Sequence, residues 1–436
     1  MLNVLWIAFQ PIPIITQTLK LGDNVATGGW LQGAADIVCS HDEISLSYCF
    51  QHEESCEGKA GRISYYTMGV VPEVHSRDIT AYREEDFNRF KEIIEKVQPD
   101  IIHIYGTEKW FQRQFVLMAN DLGLLEKTVV WIQGLVGFCA HCYTDGLSVR
   151  QFKKKTFWEL IRGTNVEGIQ KRLALNGQSE IRILKLLKNV FVRTEWDSAC
   201  CKAINPNLTL HFCNETLRPA FFENKVWKKE KVKKHSIFMS QYGTPIKGYH
   251  QMLKALPIIL KEFPDTVLYT TGADLLIPSD SLMRKLREPS YIKVLREEIK
   301  ENRLEQHVRF LGTLQGEEMR DQYLASHVFV SASSIENSPN SVGEAMILGV
   351  PTVASDVGGV SSMMTHREEG LLYPFNEYAV LAEYVCRIFR DDTLAAEISQ
   401  KARKRALDTH DKENNYRTLL KCYQQMINGL EKQDRE

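Results

Sequence analysis

The stretch from Val328 to Val360 constrains the fold of this 436-residue chain more than any other. Val328–Ala332 is an apolar run and predicts a β-strand. A polar loop follows, Ser333 to Asn340, with a proline at position 339. Ser341–Leu348 is compatible with a helix, and Gly349 stops it. Pro351–Ala354 predicts a second strand, which leads into Gly358-Gly359. Strand, loop, short helix, strand is a βαβ unit. Open α/β sheets bind ligands at the carboxyl ends of their strands, and this loop lies at such an end.

Two acidic residues flank the loop, Glu336 within it and Glu344 about one turn inside the helix. The backbone amides of Asn340, Ser341 and Val342 point out of the helix start. Unpaired N–H groups and the helix dipole together favour an anion, phosphate above all. At ~1.5 Å rise per residue, Glu344 sits roughly 5 Å along from those amides. A carboxylate at that offset suits a ribose diol beside the phosphates, and Glu336 suits the hydroxyls of whatever the distal phosphate carries. The residues thus describe a nucleotide-sugar site. The plainer alternative is two surface charges on an ordinary crossover.

The stretch resembles the signature of glycosyltransferase family 4, retaining enzymes of the GT-B fold. In that signature two glutamates are separated by seven residues, the second opens Glu-Ala-Met, and a Gly-x-Pro and a Gly-Gly loop follow. Here these are Glu336, Glu344-Ala345-Met346, Gly349-Val350-Pro351 and Gly358-Gly359. The resemblance implies an α/β protein of two Rossmann-like domains facing across a cleft, with a C-terminal helix crossing back to the first.

Composition bounds the alternatives. Apolar content of 44% and charged content of 25% are those of an ordinary soluble protein. A net charge of −1 gives no case for a nucleic-acid binder. Ten irregularly spaced cysteines do not make a disulfide scaffold and fit a reduced, cytoplasmic setting. Cys139-Ala140-His141-Cys142 is a lone CxxC. The apolar start MLNVLWIAF has no basic region before it and predicts a first strand, not a signal peptide. No run of about 18 apolar residues predicts a membrane span.

The first half of the chain alternates between strands and helices, which implies a parallel sheet. Strands are predicted at Val4–Phe9, Ile44–Phe50, Ile63–Met68, Ile101–Tyr105 and Thr128–Ile132. Helices are predicted to about Cys39 and over Glu84–Val97 and Trp110–Leu122. Thr27-Gly28-Gly29-Trp30 opens the first helix, as a tight turn or as a close approach of backbone to ligand. The resemblance makes Gly29 a contact to the donor diphosphate. It also places a sugar-reaching histidine where this chain has Gln133. Glutamine donates and accepts hydrogen bonds but does not titrate near neutrality, so its role is positioning.

From Arg150 to Lys188 the chain is basic, with Phe152, Phe157, Trp158 and Ile161 interleaved. Such a segment suits a membrane surface or an anionic acceptor, or is simply a solvated helix. Thr194 is placed to cap a helix beginning at Glu195. The run Arg193–Arg218, including Asn214-Glu215-Thr216-Leu217-Arg218, resembles a subgroup linked to bacterial surface polysaccharides. Lys225–Lys234 is lysine-rich and reads as an interdomain linker.

The second domain is predicted to open with a strand at Ser236–Met239 and a helix led by Pro245-Ile246-Lys247-Gly248. The resemblance puts Lys247 on the diphosphate. It expects an arginine where this chain has Gln241. It also places the donor against Gly272, Leu314, Asn337, Ser338, Asn340, Ser341 and Glu344. A helix at Lys412–Leu430 is the candidate for the return to the first domain.

The domain scheme is therefore 1–224, a linker at 225–234, a nucleotide-sugar domain at 235–410 and a terminal helix at 411–436. The implied activity is transfer of a sugar, with retention, from a nucleotide-sugar donor to a glycan or lipid-linked acceptor. The resemblance makes Glu336, Lys247 and Gln133 the catalytic set. No separate carboxylate nucleophile is recognisable, which favours front-face departure and attack. Positioning and electrostatic stabilisation are then the enzyme's part. No two aspartates are spaced two apart, so no divalent metal or other cofactor is implied. The expected location is cytoplasmic, with peripheral membrane contact. Two rivals stand beside this reading: a nucleotide-sugar epimerase, and a non-catalytic nucleotide-sugar-binding subunit.

Overall fold

The computed structural model describes residues 1–21, 29–69, 81–277 and 287–433. The chain divides into two compact units. The first comprises Met1–Gly137, Leu175–Arg218 and His410–Glu436, and the second Phe138–Ala174 and Pro219–Thr409.

The first unit is built on an eight-stranded sheet. Its strands are β1 Leu2–Ile7, β2 Ile44–Gln51, β3 Glu57–Ala60, β4 Ile63–Met68, β5 Ile101–Tyr105, β6 Thr128–Trp131, β7 Asn189–Val192 and β8 Thr209–Phe212, in the order β3-β4-β2-β1-β5-β6-β7-β8. All neighbours are parallel except β3 and β4, an antiparallel pair at the edge. The sequence pattern misses β3 because Glu57-Gly58-Lys59-Ala60 carries no apolar run. Buried on both faces, the central strands β5 and β6 read as continuous, largely apolar segments. The face beneath the last helix, Lys412–Gln433, is aromatic. His103 stacks with Tyr105, Trp131 and Phe191, at centroid separations of 4.3, 5.4 and 5.1 Å. Tyr423 of that helix is fully buried, and its hydroxyl accepts from Trp6 Nε1 at 3.1 Å. The C-terminal helix therefore packs in the core of the first unit, as the GT-B resemblance implies.

The second unit is a six-stranded, all-parallel sheet. Its strands are β9 Lys233–Met239, β10 Val267–Thr270, β11 Val308–Phe310, β12 Ser326–Ser331, β13 Thr352–Ser355 and β14 Leu371–Tyr373, in the order β11-β10-β9-β12-β13-β14. Chain order runs outward from β9 in one direction, then outward from β12 in the other. The switch point lies between these two central strands, where Phe238 is in register with Phe329. Loops leaving their carboxyl ends diverge and leave a crevice for ligand.

The units differ from the division expected from sequence. Residues 138–174 and 219–224 group with the second unit, not with the first. Residues 225–234, expected as a linker, also belong to the second unit. Trp227 explains this. Its ring is buried, its Nε1 donates to the Ser326 carbonyl at 2.9 Å, and its backbone N–H donates to Leu348 O at 2.8 Å. One tryptophan docks a stretch that is otherwise lysine-rich and polar.

Candidate active site

The switch point brings Lys247 and Glu336 together. β9 ends at Met239 and its loop carries Gln241 and Lys247; β12 ends at Ser331 and its loop carries Glu336. Since β9 and β12 are neighbours, residues 89 apart in sequence meet. Lys247 Nζ donates to Glu336 Oε1 at 2.6 Å. Ser333 Oγ donates to the same oxygen at 2.6 Å, and Ser355 Oγ donates to the Ser333 carbonyl at 2.5 Å.

Two glycines permit this close assembly. Gly248 has φ +66°, and a Cβ there would stand 1.6 Å from the Ala332 carbonyl oxygen. Gly358 has φ +53°, and its Cβ would stand 2.0 Å from the Glu336 carbonyl oxygen. Next to it, the Gly359 N–H donates to that carbonyl at 3.0 Å. The Gly-Gly turn thus holds the backbone of the glutamate loop. Only glycine accepts both the left-handed conformation and the missing volume.

The helix Asn340–Leu348 begins directly after that loop, capped by Pro339, whose side chain makes no cap bond. Of the three amides expected to point outward, that of Val342 does not. It donates to the Pro339 carbonyl at 3.0 Å, as Gly343 N–H does at 3.2 Å. A tightened first turn uses up these two donors. Among the described residues no backbone acceptor meets the N–H of Asn340 or Ser341. Glu344 lies within the helix and is 4% exposed. Asn337 is buried and Ser338 partly exposed, with Ser338 Oγ at 3.6 Å from Met363 Sδ. Tyr323, which the sequence reading did not single out, donates its hydroxyl to Ser341 O at 3.1 Å and braces this helix start.

Gly272 and Gly312 close the neighbouring edge. They exchange backbone hydrogen bonds of 2.8 and 3.1 Å just past the ends of β10 and β11. Tyr242 packs on Gly272 and donates its hydroxyl to the Ala273 carbonyl at 2.5 Å. Gln241, beside it, is exposed, and Leu314, two residues past Gly312, is half-buried.

Gln133, at the end of β6, lies in the first unit together with residues whose roles the sequence did not reveal. Its Nε2 donates to Glu215 Oε1 at 2.5 Å, and its Oε1 accepts from Arg193 Nη2 at 3.5 Å. Arg193 Nη1 pairs with Glu215 Oε2 at 2.6 Å, both side chains being nearly sealed from solvent. Both ends of the glutamine amide are therefore fixed by one buried ion pair. His410 supports the pair from behind. Burial holds its ring down at about 4, so the neutral ring donates from Nδ1 to the Glu215 carbonyl at 2.7 Å. Beside Gln133, burial pushes the Glu108 carboxyl up, against the backbone N–H groups of residues 107, 108 and 134. Behind it, burial pushes Glu180 up to about 7, although the Thr107 hydroxyl and the Gly137 N–H donate to it. The clue to Arg193 and Glu215 in sequence was the run Arg193–Arg218; nothing marked Glu108 or Glu180. Gly29 begins the helix Gly29–Cys39, while Thr27 and Gly28 of the expected glycine-rich turn lie outside the described residues.

Among the described residues no three His, Cys, Asp or Glu side chains are grouped to hold a metal ion. No helix among them is long and apolar enough to cross a membrane.

Two units, each built on a parallel or mostly parallel sheet, define the architecture, and comparison with known proteins gives it a name. The fold is GT-B. Sucrose-phosphate synthase from Thermosynechococcus elongatus superposes with a TM-score of 0.69 at 16% identity, over 98% of this chain and 100% of that one. Anabaena HepE, solved in complex with UDP and glucose, gives 0.60 at 13% identity, over 97% and 99%.

Residues 221–405, all within the second unit, match the family model of glycosyl transferases group 1. The chain is 27% identical over 184 residues to D-inositol 3-phosphate glycosyltransferase of Corynebacterium urealyticum, which is 42% of this chain and 41% of that protein. It is 29% identical over 164 residues to phosphatidyl-myo-inositol mannosyltransferase of Mycobacterium leprae, 36% and 38% of the two chains. The matched region thus spans less than half the length of these curated relatives.

Proposed function

We propose that the protein is a retaining glycosyltransferase of family 4 type. It moves a sugar from a nucleotide-sugar donor to a glycan or lipid-linked acceptor in the synthesis of bacterial surface polysaccharide. One observation carries this reading: the Lys247–Glu336 pair stands beside the start of the helix Asn340–Leu348, with Glu344 buried within it. A cation, two outward amides and two carboxylates are the groups needed by a diphosphate flanked by a ribose and a hexose.

In this reading Lys247 and the amides of Asn340 and Ser341 stabilise the charge that grows on the leaving diphosphate. Glu344 accepts from the ribose and Glu336 from the sugar. Gln241, Gly272 and Leu314 border the nucleotide. Fixed dipoles aimed at developing charge lower the barrier without reorganising during the reaction. Departure and attack occur on one face. The acceptor hydroxyl loses its proton to the departing diphosphate, the anomeric C–O bond to the diphosphate breaks, and the bond to the acceptor oxygen forms. Gln133, held at both ends by Arg193 and Glu215, positions the sugar and carries no proton. No metal takes part. Binding of UDP and UDP-glucose by structural neighbours supports a nucleotide-sugar donor. The protein works at the inner face of a membrane without spanning it.

Turnover with a panel of nucleotide sugars tests the proposal. Release of nucleoside diphosphate coupled to an α-configured product from an α-configured donor is the expected result. Interconversion of the donor without transfer, or binding without turnover on any donor and acceptor pair, would overturn it.

A further inference from the structure

The helix Phe157–Arg162 of the second unit presents its apolar face to solvent. Phe157, Leu160 and Ile161 are 67%, 61% and 63% exposed. Positions i, i+3 and i+4 share one face of a helix. Large apolar side chains this open are common singly, but three in one cluster mark an interaction surface.

The exposure is built in, because the opposite side of the helix is fastened down. Thr156 and Glu159 form a reciprocal cap: Thr156 N–H donates to Glu159 Oε2 at 2.9 Å, and Glu159 N–H donates to Thr156 Oγ1 at 3.4 Å. The other oxygen of Glu159 accepts from the backbone N–H and hydroxyl of Ser290, at 2.7 and 3.1 Å. Glu159 is 4% exposed, so its charge points inward. Gly163, at φ +61°, ends the helix after a turn and a half. The guanidinium groups of Arg162 and Arg287 lie over the Trp158 ring, at 5.5 and 5.6 Å. A buried carboxylate and an aromatic in contact with two cations therefore fix which face looks out.

Cations predominate on the segment that carries the face, although Lys154 is paired with Glu297. Arg150, Lys153, Lys155 and Arg162 are exposed on the same segment. Its second carboxylate, Glu167, is taken up by Lys155 and Lys171 at 2.9 and 2.8 Å. Exposed apolar side chains on a segment that also exposes cations complement a surface that is greasy within and anionic at its edge, which is an acidic lipid bilayer.

We infer that the helix Phe157–Arg162 is a membrane-docking element that inserts Phe157, Leu160 and Ile161 among the acyl chains of an anionic bilayer. This extends the reading of a membrane-borne acceptor, yet vesicle binding requires no turnover, so either can fail without the other.

Flotation with vesicles tests it, using phosphatidylcholine alone and an equimolar mixture of phosphatidylcholine and phosphatidylglycerol at low salt. The full chain should float with the mixed vesicles. Phe157→Ser, Leu160→Ser and Ile161→Ser combined should lower that binding about tenfold or more while leaving the thermal unfolding profile unchanged. Lys153→Glu with Arg162→Glu should weaken binding to the mixed vesicles alone, and added salt should do the same. The inference is overturned if the native chain ignores both vesicle types, or if the triple variant floats as the native chain does. It is equally overturned if the triple variant only converts a dimer to a monomer in sedimentation velocity, which would give the face to a second copy of the chain.

Discussion

Lys247 Nζ and Glu336 Oε1 lie 2.6 Å apart, joining the loops that leave the two central strands of the second unit. Both side chains keep some exposure, 31% and 14%, so the pair faces the crevice rather than the core. In the proposed function the cation serves the phosphate and the carboxylate serves the sugar.

That division predicts different losses for the two glutamates. In the proposed function Glu344 acts on every state that contains the nucleotide. Glu344→Gln should weaken free nucleoside diphosphate and donor alike, by about 1–3 kcal/mol. Glu336→Gln should leave diphosphate affinity near the native value and lower kcat by about tenfold or more, since sugar hydroxyls must be held as charge develops at the anomeric carbon. Calorimetry with the diphosphate and steady-state kinetics with the donor measure both. Equal loss of diphosphate binding in the two variants would show that the sugar is misplaced here.

The close approach at Gly248 predicts a stability effect. Gly248→Ala adds a Cβ 1.6 Å from the Ala332 carbonyl oxygen at a left-handed φ. Both the strain and the clash oppose it, and a loss of at least about 1–3 kcal/mol is expected. Chemical denaturation should show a lower midpoint for the second unit. An unchanged midpoint would mean that this loop rearranges freely.

Glu180 predicts a pH dependence. Burial holds its carboxyl at about 7, against an ordinary value of 4.5. The native state then keeps a proton that the unfolded chain releases, so this contribution is fully present below about 4.5 and is lost as pH rises through about 7. Its full size is of the order of 3 kcal/mol. His250, His327 and His410 act in the opposite sense, because burial holds them at about 3, 4 and 4. The difference between the native chain and Glu180→Gln isolates the carboxyl: the variant should gain relative stability as pH increases. A difference that is flat with pH would show Glu180 ionised throughout.

The proposed function has the diphosphate held by Lys247 and helix-start amides without a divalent ion. Turnover should therefore survive EDTA. Loss of activity that magnesium or manganese restores would count against the proposed site.

Much of the second unit could be read from sequence because its signals are local. The helix predicted at Ser341–Leu348 is found at Asn340–Leu348, and Gly349 takes the left-handed conformation that ends it. The same holds in the first unit, where Thr194 caps the helix Glu195–Ile204, accepting from Asp197 N–H at 3.1 Å. What escaped was tertiary. Glu215 reaches Gln133 across 82 residues, and no local pattern carries that pairing. Trp227 anchors a segment whose lysines suggested a free connector. The basic segment from Arg150 splits into several helices, and the side of Phe157–Arg162 that faces inward is set by Ser290, far along the chain.

Tyr423 stands 417 residues after Trp6, to whose indole it is hydrogen-bonded. During synthesis the amino-terminal sheet leaves the ribosome long before the helix that seals its aromatic face. The first unit must wait, with Trp6 and His103 open to water or to a chaperone, while the whole second unit is made and has time to fold. The half that is translated first is thus the half completed last, and a chain released after Thr409 but before Lys412 should show a first unit sensitive to protease beside a second unit that already resists.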